Sequence, residues 1–171
     1  MGRLVVFILF AFSIILSATI AVFRPGRHYY KLKTAKRVYM KIQGLDDACV
    51  LPYLRKIDPY VFEELVLWAF KQKGYRVYRN ARYSGDGGVD GKVRINGKKL
   101  LIQDKRYSGY IQLAHIKAFD ETCRKKKQNG LFIHTGKTGQ NSKDISCNSE
   151  RITIISGTKL IQLLKHEKQT K

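Results

Sequence analysis

Acidic residues are scarce in this sequence. Asp and Glu total 13 against 33 Lys and Arg, which gives a formal net charge of +20. A positive excess of this size is typical of a protein that binds a polyanion, either nucleic acid or anionic lipid. A basic, well-solvated surface with no such partner is the alternative interpretation. The charge therefore favours a polyanionic partner without naming it.

Cysteine is also scarce, and its spacing excludes two common classes of site. Cys49, Cys123 and Cys147 are odd in number, unevenly spaced and without a Cys-x-x-Cys pair. This pattern argues against a disulfide framework and indicates a reducing compartment. The four histidines are scattered and do not combine with the cysteines into zinc-ligand spacing. Neither a disulfide scaffold nor a zinc site is expected.

The chain has no internal repeat and no low-complexity tract, and only one long apolar run. Its 171 residues, 44% hydrophobic, allow one ordinary domain plus a small additional segment. Leu4 to Phe23 lacks charge and has the length of a membrane-spanning helix, about twenty residues. A cleaved signal peptide is the rival, but its apolar core would be shorter, and Thr19-Ile20-Ala21 is a poor cleavage site. We predict that residues 1–23 are a transmembrane signal anchor.

The charges that flank the apolar run predict its orientation. Arg3 precedes the run, whereas six cations follow it closely: Arg24, Arg27, Lys31, Lys33, Lys36 and Arg37. The positive-inside rule then places the C-terminal part in the cytoplasm, as a single-pass protein of the cell inner membrane. Residues 24–57 are predicted to be a basic juxtamembrane connector. Within them, Tyr29 to Ile42 predicts a helix at the membrane surface, with DNA contact as the alternative.

A β-hairpin is predicted in the middle of the chain. Val89 to Ile95 and Lys98 to Arg106 are strand-like runs, and Asn96-Gly97 separates them. Asn-Gly is a strong hairpin signal because both residues tolerate positive φ. Side chains alternate along a strand, so Gln103 and Lys105 share one face and Asp104 points to the other.

The polar residues of this hairpin suit an oxygen-ligated metal such as Mg²⁺ or Mn²⁺. Asp90, on the first strand, supplies a carboxylate, while the Gln103 amide oxygen and the Asp104 backbone carbonyl supply neutral oxygens. Lys105 is a cation that can orient water or stabilise charge on a phosphate. The preceding loop of Gly85, Asp86, Gly87 and Gly88 can turn sharply and admit a substrate. Asp86 is expected to hold the loop by hydrogen bonds, with assistance to the metal as the alternative.

The order of predicted elements indicates an α/β sandwich. Asp58-Pro59 begins a helix that runs to about Lys73, and Tyr75 to Arg79 forms a strand before the hairpin. The elements after the hairpin are a helix, two strands and a helix, at Ile111–Lys127, Leu131–Thr135, Arg151–Ser156 and Thr158–Leu164. This order predicts a mixed sheet of about five strands flanked by helices. The domain is expected to cover residues 58–165, followed by a polar tail at 166–171.

The motif Asp90 … Gln103-x-Lys105 resembles the PD-(D/E)xK motif of the restriction-endonuclease-like superfamily. The Gln variant, the preceding GDGGVDG and the following Arg106-Tyr107 resemble the Mrr-type, or type IV, restriction endonuclease catalytic domain. Phe62-Glu63 is similar to the Phe-Glu pair that opens a helix upstream in that family. The resemblance covers Tyr60 to Leu164.

The resemblance implies the restriction-endonuclease-like sandwich and a metal-dependent endonuclease that hydrolyses double-stranded DNA. It implies that Glu63 points toward the metal and that Gln112 lies near the site. The alternative for Glu63 is an exposed first-turn acid that favours the helix dipole. Arg106 and Tyr107 are expected to contact DNA. Cleavage of both strands would normally need a homodimer.

Two other functions are compatible with the sequence. Gln in place of an acidic ligand lowers the charge of the site, so a catalytically inactive, DNA-binding nuclease fold at the membrane is one alternative. The other is a membrane-surface scaffold whose basic residues bind lipid.

Overall fold

The computed structural model describes residues 27–80 and 88–166. The predicted anchor at 1–23 and the loop residues Gly85, Asp86 and Gly87 lie outside this part of the chain. Within it the elements, in chain order, are α1 (Arg27–Gln43), α2 (Asp47–Leu54), α3 (Pro59–Gln72), β1 (Arg76–Arg79), β2 (Gly91–Ile95), β3 (Lys98–Lys105), α4 (Leu113–Lys126), β4 (Gly130–His134), α5 (Gln140–Ser149), β5 (Ile152–Ile155) and α6 (Gly157–Leu164). No helix of the described ranges is long and apolar enough to cross a membrane.

The five strands form one mixed sheet in the order β1-β2-β3-β4-β5. β1, β2 and β3 are antiparallel neighbours, whereas β3, β4 and β5 are parallel. Parallel neighbours need a crossover connection, and α4 and α5 lie in the two connections. The predicted mixed sheet flanked by helices is therefore confirmed.

The local signals for the hairpin and for α3 correspond to observed geometry. Asn96 has φ 49° and Gly97 has φ 78°, so both central residues of the β2–β3 turn are in the left-handed region. Asp58 Oδ1 accepts a hydrogen bond from the Val61 N–H at 3.2 Å, which caps α3 ahead of Pro59. The turn and the helix start depend on residues close together in the sequence, which is why the sequence alone predicts both.

The hydrophobic core lies on both faces of the sheet. Ile102 of β3 packs in the cluster that contains α3 and α6, and Leu101 packs in the cluster that contains α4. Because adjacent residues of a strand face opposite sides, Asp104 continues the Ile102 side and Gln103 and Lys105 continue the Leu101 side. This packing agrees with the prediction that Gln103 and Lys105 share one face of β3 and that Asp104 lies on the other.

The structure differs from the predicted connector over the described part of it, residues 27–57. From Lys31 onward the chain forms one compact unit. α1 and α2 bury apolar side chains in the same cluster as α3, namely Ala35, Val38, Tyr39, Ile42, Val50 and Leu54. The physical reason is that the many cations of α1 occupy its other faces, while its apolar residues recur at helical spacing. The domain therefore begins before residue 58.

Some predicted boundaries also change. β2 begins at Gly91, so Asp90 lies just before the strand rather than on it. β3 ends at Lys105, one residue earlier than predicted, and α4 begins at Leu113 instead of Ile111. These shifts leave Asp90 at the entrance to β2, where backbone and side chain are both available for contacts with β3.

Candidate active site

Backbone hydrogen bonds hold Asp90 against the end of β3. The Asp90 N–H donates to the Ile102 carbonyl at 2.8 Å. The Asp104 N–H donates to Asp90 Oδ2 at 2.7 Å. Asp90 is thus tied to β3 through both its backbone and its carboxylate, which fixes that carboxylate beside the Gln103-x-Lys105 segment.

The Gln103 amide is oriented by Gly88. Its Nε2 donates to the Gly88 carbonyl at 2.6 Å. Gly88 has φ +78°, and a Cβ at this position would lie 2.4 Å from Gln103 Nε2. Because the nitrogen is bonded to Gly88, the oxygen Oε1 is left over, and it is buried with no hydrogen-bond partner among the described residues. A buried amide oxygen without a donor is suited to a cation.

Glu63 and Asp90 interact electrostatically. Burial and the Asp90 carboxylate raise the pKa of Glu63 to about 8, against an opposing effect of Lys105. Burial also raises the pKa of Asp90 to about 6, although the Asp104 N–H and Lys105 oppose the shift. The Glu63 and Asp90 carboxyls and the Lys105 ammonium therefore lie close together, and added positive charge would stabilise the ionised form of both carboxyls.

The Asp104 side chain also belongs to this site, although the motif predicts a role only for its backbone carbonyl. It is 6% exposed, and neither carboxyl oxygen has a hydrogen-bond partner among the described residues. Burial, followed by Asp90 and Glu63, raises its pKa well above the usual range. The available signal was an acidic residue that lies two positions after the apolar run Leu100-Leu101-Ile102, within the same predicted strand.

Adjacent Glu63 and Glu64 have different surroundings. Glu64 is buried, and its Oε2 accepts a hydrogen bond from Arg79 Nε at 2.8 Å, which links α3 to β1. Glu63 is half-buried and interacts with Asp90 and Lys105. The packing of β1 against α3 therefore gives Glu64 a structural role, whereas Glu63 interacts with the candidate site.

The residues expected to contact DNA make internal contacts. Arg106 Nη1 donates to the Arg55 carbonyl at 3.1 Å. The Tyr107 hydroxyl is hydrogen-bonded to His115 Nδ1, and the Tyr107 backbone N–H donates to Thr135 Oγ1 at 3.0 Å. Gln112 is exposed just before α4, and its side chain does not cap that helix. These contacts order the chain that follows Lys105.

His134 lies opposite Lys105 in the register of β4 and β3, and its contacts are structural. Burial lowers its pKa to about 4, so the ring is neutral near pH 7. The Gly136 N–H donates to Nδ1 at 3.2 Å, which leaves the proton on Nε2, 3.1 Å from Thr138 Oγ1. Both ring nitrogens are therefore occupied in holding the turn after β4.

The residues present fit a hard divalent cation. No group of three His, Cys, Asp or Glu side chains in residues 27–80 and 88–166 has a metal-binding arrangement. Mg²⁺, however, is usually held by one or two carboxylates, with neutral oxygens and water completing the octahedron. Asp90 and the unpartnered Gln103 Oε1 would provide one oxygen ligand of each kind, and Glu63 interacts electrostatically with Asp90.

Comparison with known proteins decides the family. Residues 54–164 match the model of the restriction endonuclease family Mrr_cat. The chain belongs to this family. The predicted resemblance to the Mrr-type catalytic domain is thereby confirmed, and membership implies a nuclease. No curated protein matches the chain.

The chain is also similar to a solved structure. That structure is the MspJI restriction endonuclease in complex with a 27-mer oligonucleotide, at 18% sequence identity and a TM-score of 0.40. The match covers 82% of this chain and 32% of the MspJI chain. The chain thus spans about a third of the length of that protein.

The raised pKa of Asp90 predicts how Asp90→Asn changes stability with pH. Well below the unfolded pKa of 3.8, both folded and unfolded chains bind this proton, so ionisation of Asp90 contributes no stability difference between the variant and the wild type. As the pH rises through the folded pKa of about 6, the wild type must bury a charge that Asn lacks. In the presence of a chelator, we expect Asp90→Asn to unfold at higher urea concentration at pH 8. A shift from 3.8 to about 6 corresponds to roughly 3 kcal/mol at most. A wild type as stable as the variant at pH 8 would contradict the burial of this charge.

Gly88→Ala tests whether the loop orients Gln103. The added Cβ collides with Gln103 Nε2 and displaces the amide, so we expect DNA cleavage to fall by about tenfold or more. Gly97→Ala is the matched control, because Gly97 also has φ +78° but has nothing within 4 Å of its Cβ position. Both variants carry the same backbone strain, so only Gly88→Ala should lose activity beyond the loss of stability. Equal activity losses in the two variants would argue against the orienting role.

Proposed function

We propose that this chain is a membrane-anchored, cytoplasm-facing DNA endonuclease that hydrolyses phosphodiester bonds with Mg²⁺ or Mn²⁺. The observation that carries the proposal is that the Asp90 carboxylate is hydrogen-bonded to the Asp104 N–H at the end of β3, next to Gln103, whose amide oxygen is buried without a partner among the described residues. Lys105 follows on the same face of the same strand. This arrangement occurs in a chain of the restriction endonuclease family.

Each residue has a distinct part in this mechanism. Asp90 and Gln103 Oε1 would hold the cation, the Asp104 backbone carbonyl would be a further ligand, and Glu63 would support the same site from α3. When bound, a divalent cation lowers the pKa of water and neutralises charge on phosphate oxygens. Lys105 orients the attacking water and stabilises the negative charge that develops on the phosphorus-bound oxygens. The effect of Lys105 on the pKa values of Glu63 and Asp90 supports its closeness to the reacting groups.

Double-stranded DNA is the proposed substrate. A net charge of +20 attracts the phosphate backbone, and association of this kind weakens steeply as salt is added. Arg106, Tyr107 and Gln112 are the proposed contacts that follow the site in the chain. Because each chain carries one Asp90 … Gln103-x-Lys105 motif, cleavage of both strands of a duplex calls for a homodimer.

The proposed anchor is residues 1–23, in the bacterial inner membrane. Its support is the uncharged run from Leu4 to Phe23 and the cations that follow it. An anchored nuclease would act on DNA close to the membrane, and restriction of foreign DNA on entry is the role that this location favours.

A catalytically inactive DNA-binding module is the second candidate. The observation in its favour is that the described residues provide no group of three His, Cys, Asp or Glu side chains that could hold a metal, and Gln103 is a neutral ligand. Such a module would bind DNA with the same surface and leave it intact.

Plasmid cleavage by the full-length chain in detergent separates the two functions. We expect nicking or linearisation that requires Mg²⁺ and stops with chelator. Asp90→Ala and Lys105→Ala should each reduce the rate by at least about a hundredfold, because they remove a metal ligand and the stabilising cation. Lys98→Ala, at the exposed far end of β3, is the matched control and should cleave normally. Intact plasmid together with salt-sensitive binding would favour the binding module, and cleavage that persists in Asp90→Ala would exclude the proposed site.

Deletion of residues 1–23 tests the anchor. In cell fractions washed with high salt, the full chain is expected in the membrane pellet and the shortened chain in the supernatant. The shortened chain should retain metal-dependent cleavage, because the compact unit begins at Lys31. A shortened chain that stays in the washed pellet would show that these residues are not the anchor.

A further inference from the structure

α1 presents a basic side that the proposed nuclease mechanism does not use. The helix sequence contains no acidic residue. One side of the helix is buried in the core, whereas the opposite side carries four exposed residues at helical spacing: Lys33, Arg37, Met40 and Lys41. Met40 is 68% exposed, although it is a large apolar residue. This side therefore combines three cations with an apolar group.

An apolar groove of about 340 Å³ continues this side between the end of α1 and α2. Its walls are formed by Leu45, Ala48, Cys49, Pro52 and Tyr53, and Lys41 and Lys56 flank it. The Lys41 ammonium lies 4.7 Å from the centroid of the Tyr53 ring, so it is held at the side of the groove. We refer to Lys33, Arg37, Met40, Lys41 and the groove together as the α1–α2 surface.

The chemistry of this surface fits an anionic amphiphile better than a nucleic acid. DNA contacts are made mainly by charged and hydrogen-bonding groups on phosphates, and they would leave Met40 and the apolar walls uncovered. A bilayer with acidic headgroups offers negative charge to the lysines and arginine and apolar chains to Met40 and the groove. A bilayer of this kind therefore complements both the positive charge and the apolar groups of the α1–α2 surface.

The position of α1 in the chain leads to the same partner. Only Arg24, Pro25 and Gly26 separate the apolar run that ends at Phe23 from the first residue of α1. Three extended residues span about 10 Å at most, so an anchored chain keeps the start of α1 close to the headgroups. This step depends on the anchor in the proposed function, whereas the charge and the groove do not.

We propose that the α1–α2 surface binds anionic phospholipid, with its cations on the headgroups and its groove on an apolar part of the lipid. The basic helix thereby holds the nuclease domain against the bilayer. The proposal assigns part of the large positive charge to lipid instead of DNA.

The exposed Cys49 thiol provides a direct readout at the groove. The full chain is mixed with vesicles of pure phosphatidylcholine, or of equal parts phosphatidylcholine and phosphatidylglycerol. Modification of Cys49 by a membrane-impermeant maleimide is followed by peptide mass spectrometry, and buried Cys123 reports any unfolding. We expect Cys49 to react at least about fivefold more slowly with the anionic vesicles, and added salt to remove the difference.

Charge reversal tests the residues. Lys33→Glu combined with Arg37→Glu should abolish the protection of Cys49, because the cations that meet the headgroups are lost. Lys126→Glu combined with Lys127→Glu changes the net charge equally at the end of α4 and should leave the protection intact. Protection of Cys49 by duplex DNA with phosphatidylcholine vesicles, together with equal rates on both lipids, would overturn the proposal in favour of a nucleic-acid surface.

Flotation of the same samples separates this inference from the anchor. A chain that floats with both lipids but shows no lipid-dependent protection retains the anchor and refutes the α1–α2 surface. A chain that floats only with anionic vesicles at low salt, with Cys49 protected, supports the surface and refutes the anchor. A chain that floats with neither refutes both, and DNA cleavage is measured independently of these outcomes.

Discussion

Among the described residues, oxygen atoms without hydrogen-bond partners are buried where the start of β2 meets the end of β3, and the candidate active site depends on them. Gln103 Oε1 and both Asp104 carboxyl oxygens lack hydrogen-bond partners among the described residues. A buried polar group without a partner costs about 1–3 kcal/mol, and more when it is charged. Two apolar clusters on opposite faces of the sheet offset this cost. These buried oxygens therefore destabilise the fold locally, and a nearby positive charge would stabilise them.

The same region is where local sequence pattern and global fold disagree. Leu100, Leu101 and Ile102 lead into a buried strand, yet Gln103 and Asp104 continue it with polar side chains that are 7% and 6% exposed. Conflicts of this kind are expected at functional sites, because elsewhere a polar residue in a central strand would be selected against. In β3, the buried apolar residues come first and the polar residues of the candidate site follow directly.

Positive charge in this protein serves more than one purpose. Arg55 donates to the Thr135 carbonyl at 2.9 and 3.0 Å, and Arg79 pairs with buried Glu64, so these cations join elements of the domain. Lys105 offsets the charge of the acidic groups around it. The exposed cations Lys33, Arg37 and Lys41 of α1 lie beside Met40 and an apolar groove, and this combination is the one for which we propose binding to a bilayer. Net charge alone could not distinguish these uses.

The sequence by itself determined the local and ordered features: the hairpin at Asn96-Gly97, the start of α3 at Asp58-Pro59, the five-stranded mixed sheet and the family motif. These depend on short-range conformational preferences and on the order of residue types along the chain. Tertiary structure alone decided that Glu64 pairs with Arg79 while Glu63 faces Asp90, and that Gly88 orients the Gln103 amide. It also decided that α1 and α2 belong to the domain core, and that the Asp104 carboxyl is buried without a partner. Each of these depends on contacts between segments distant in sequence, and spacing along one chain does not specify which segments will meet.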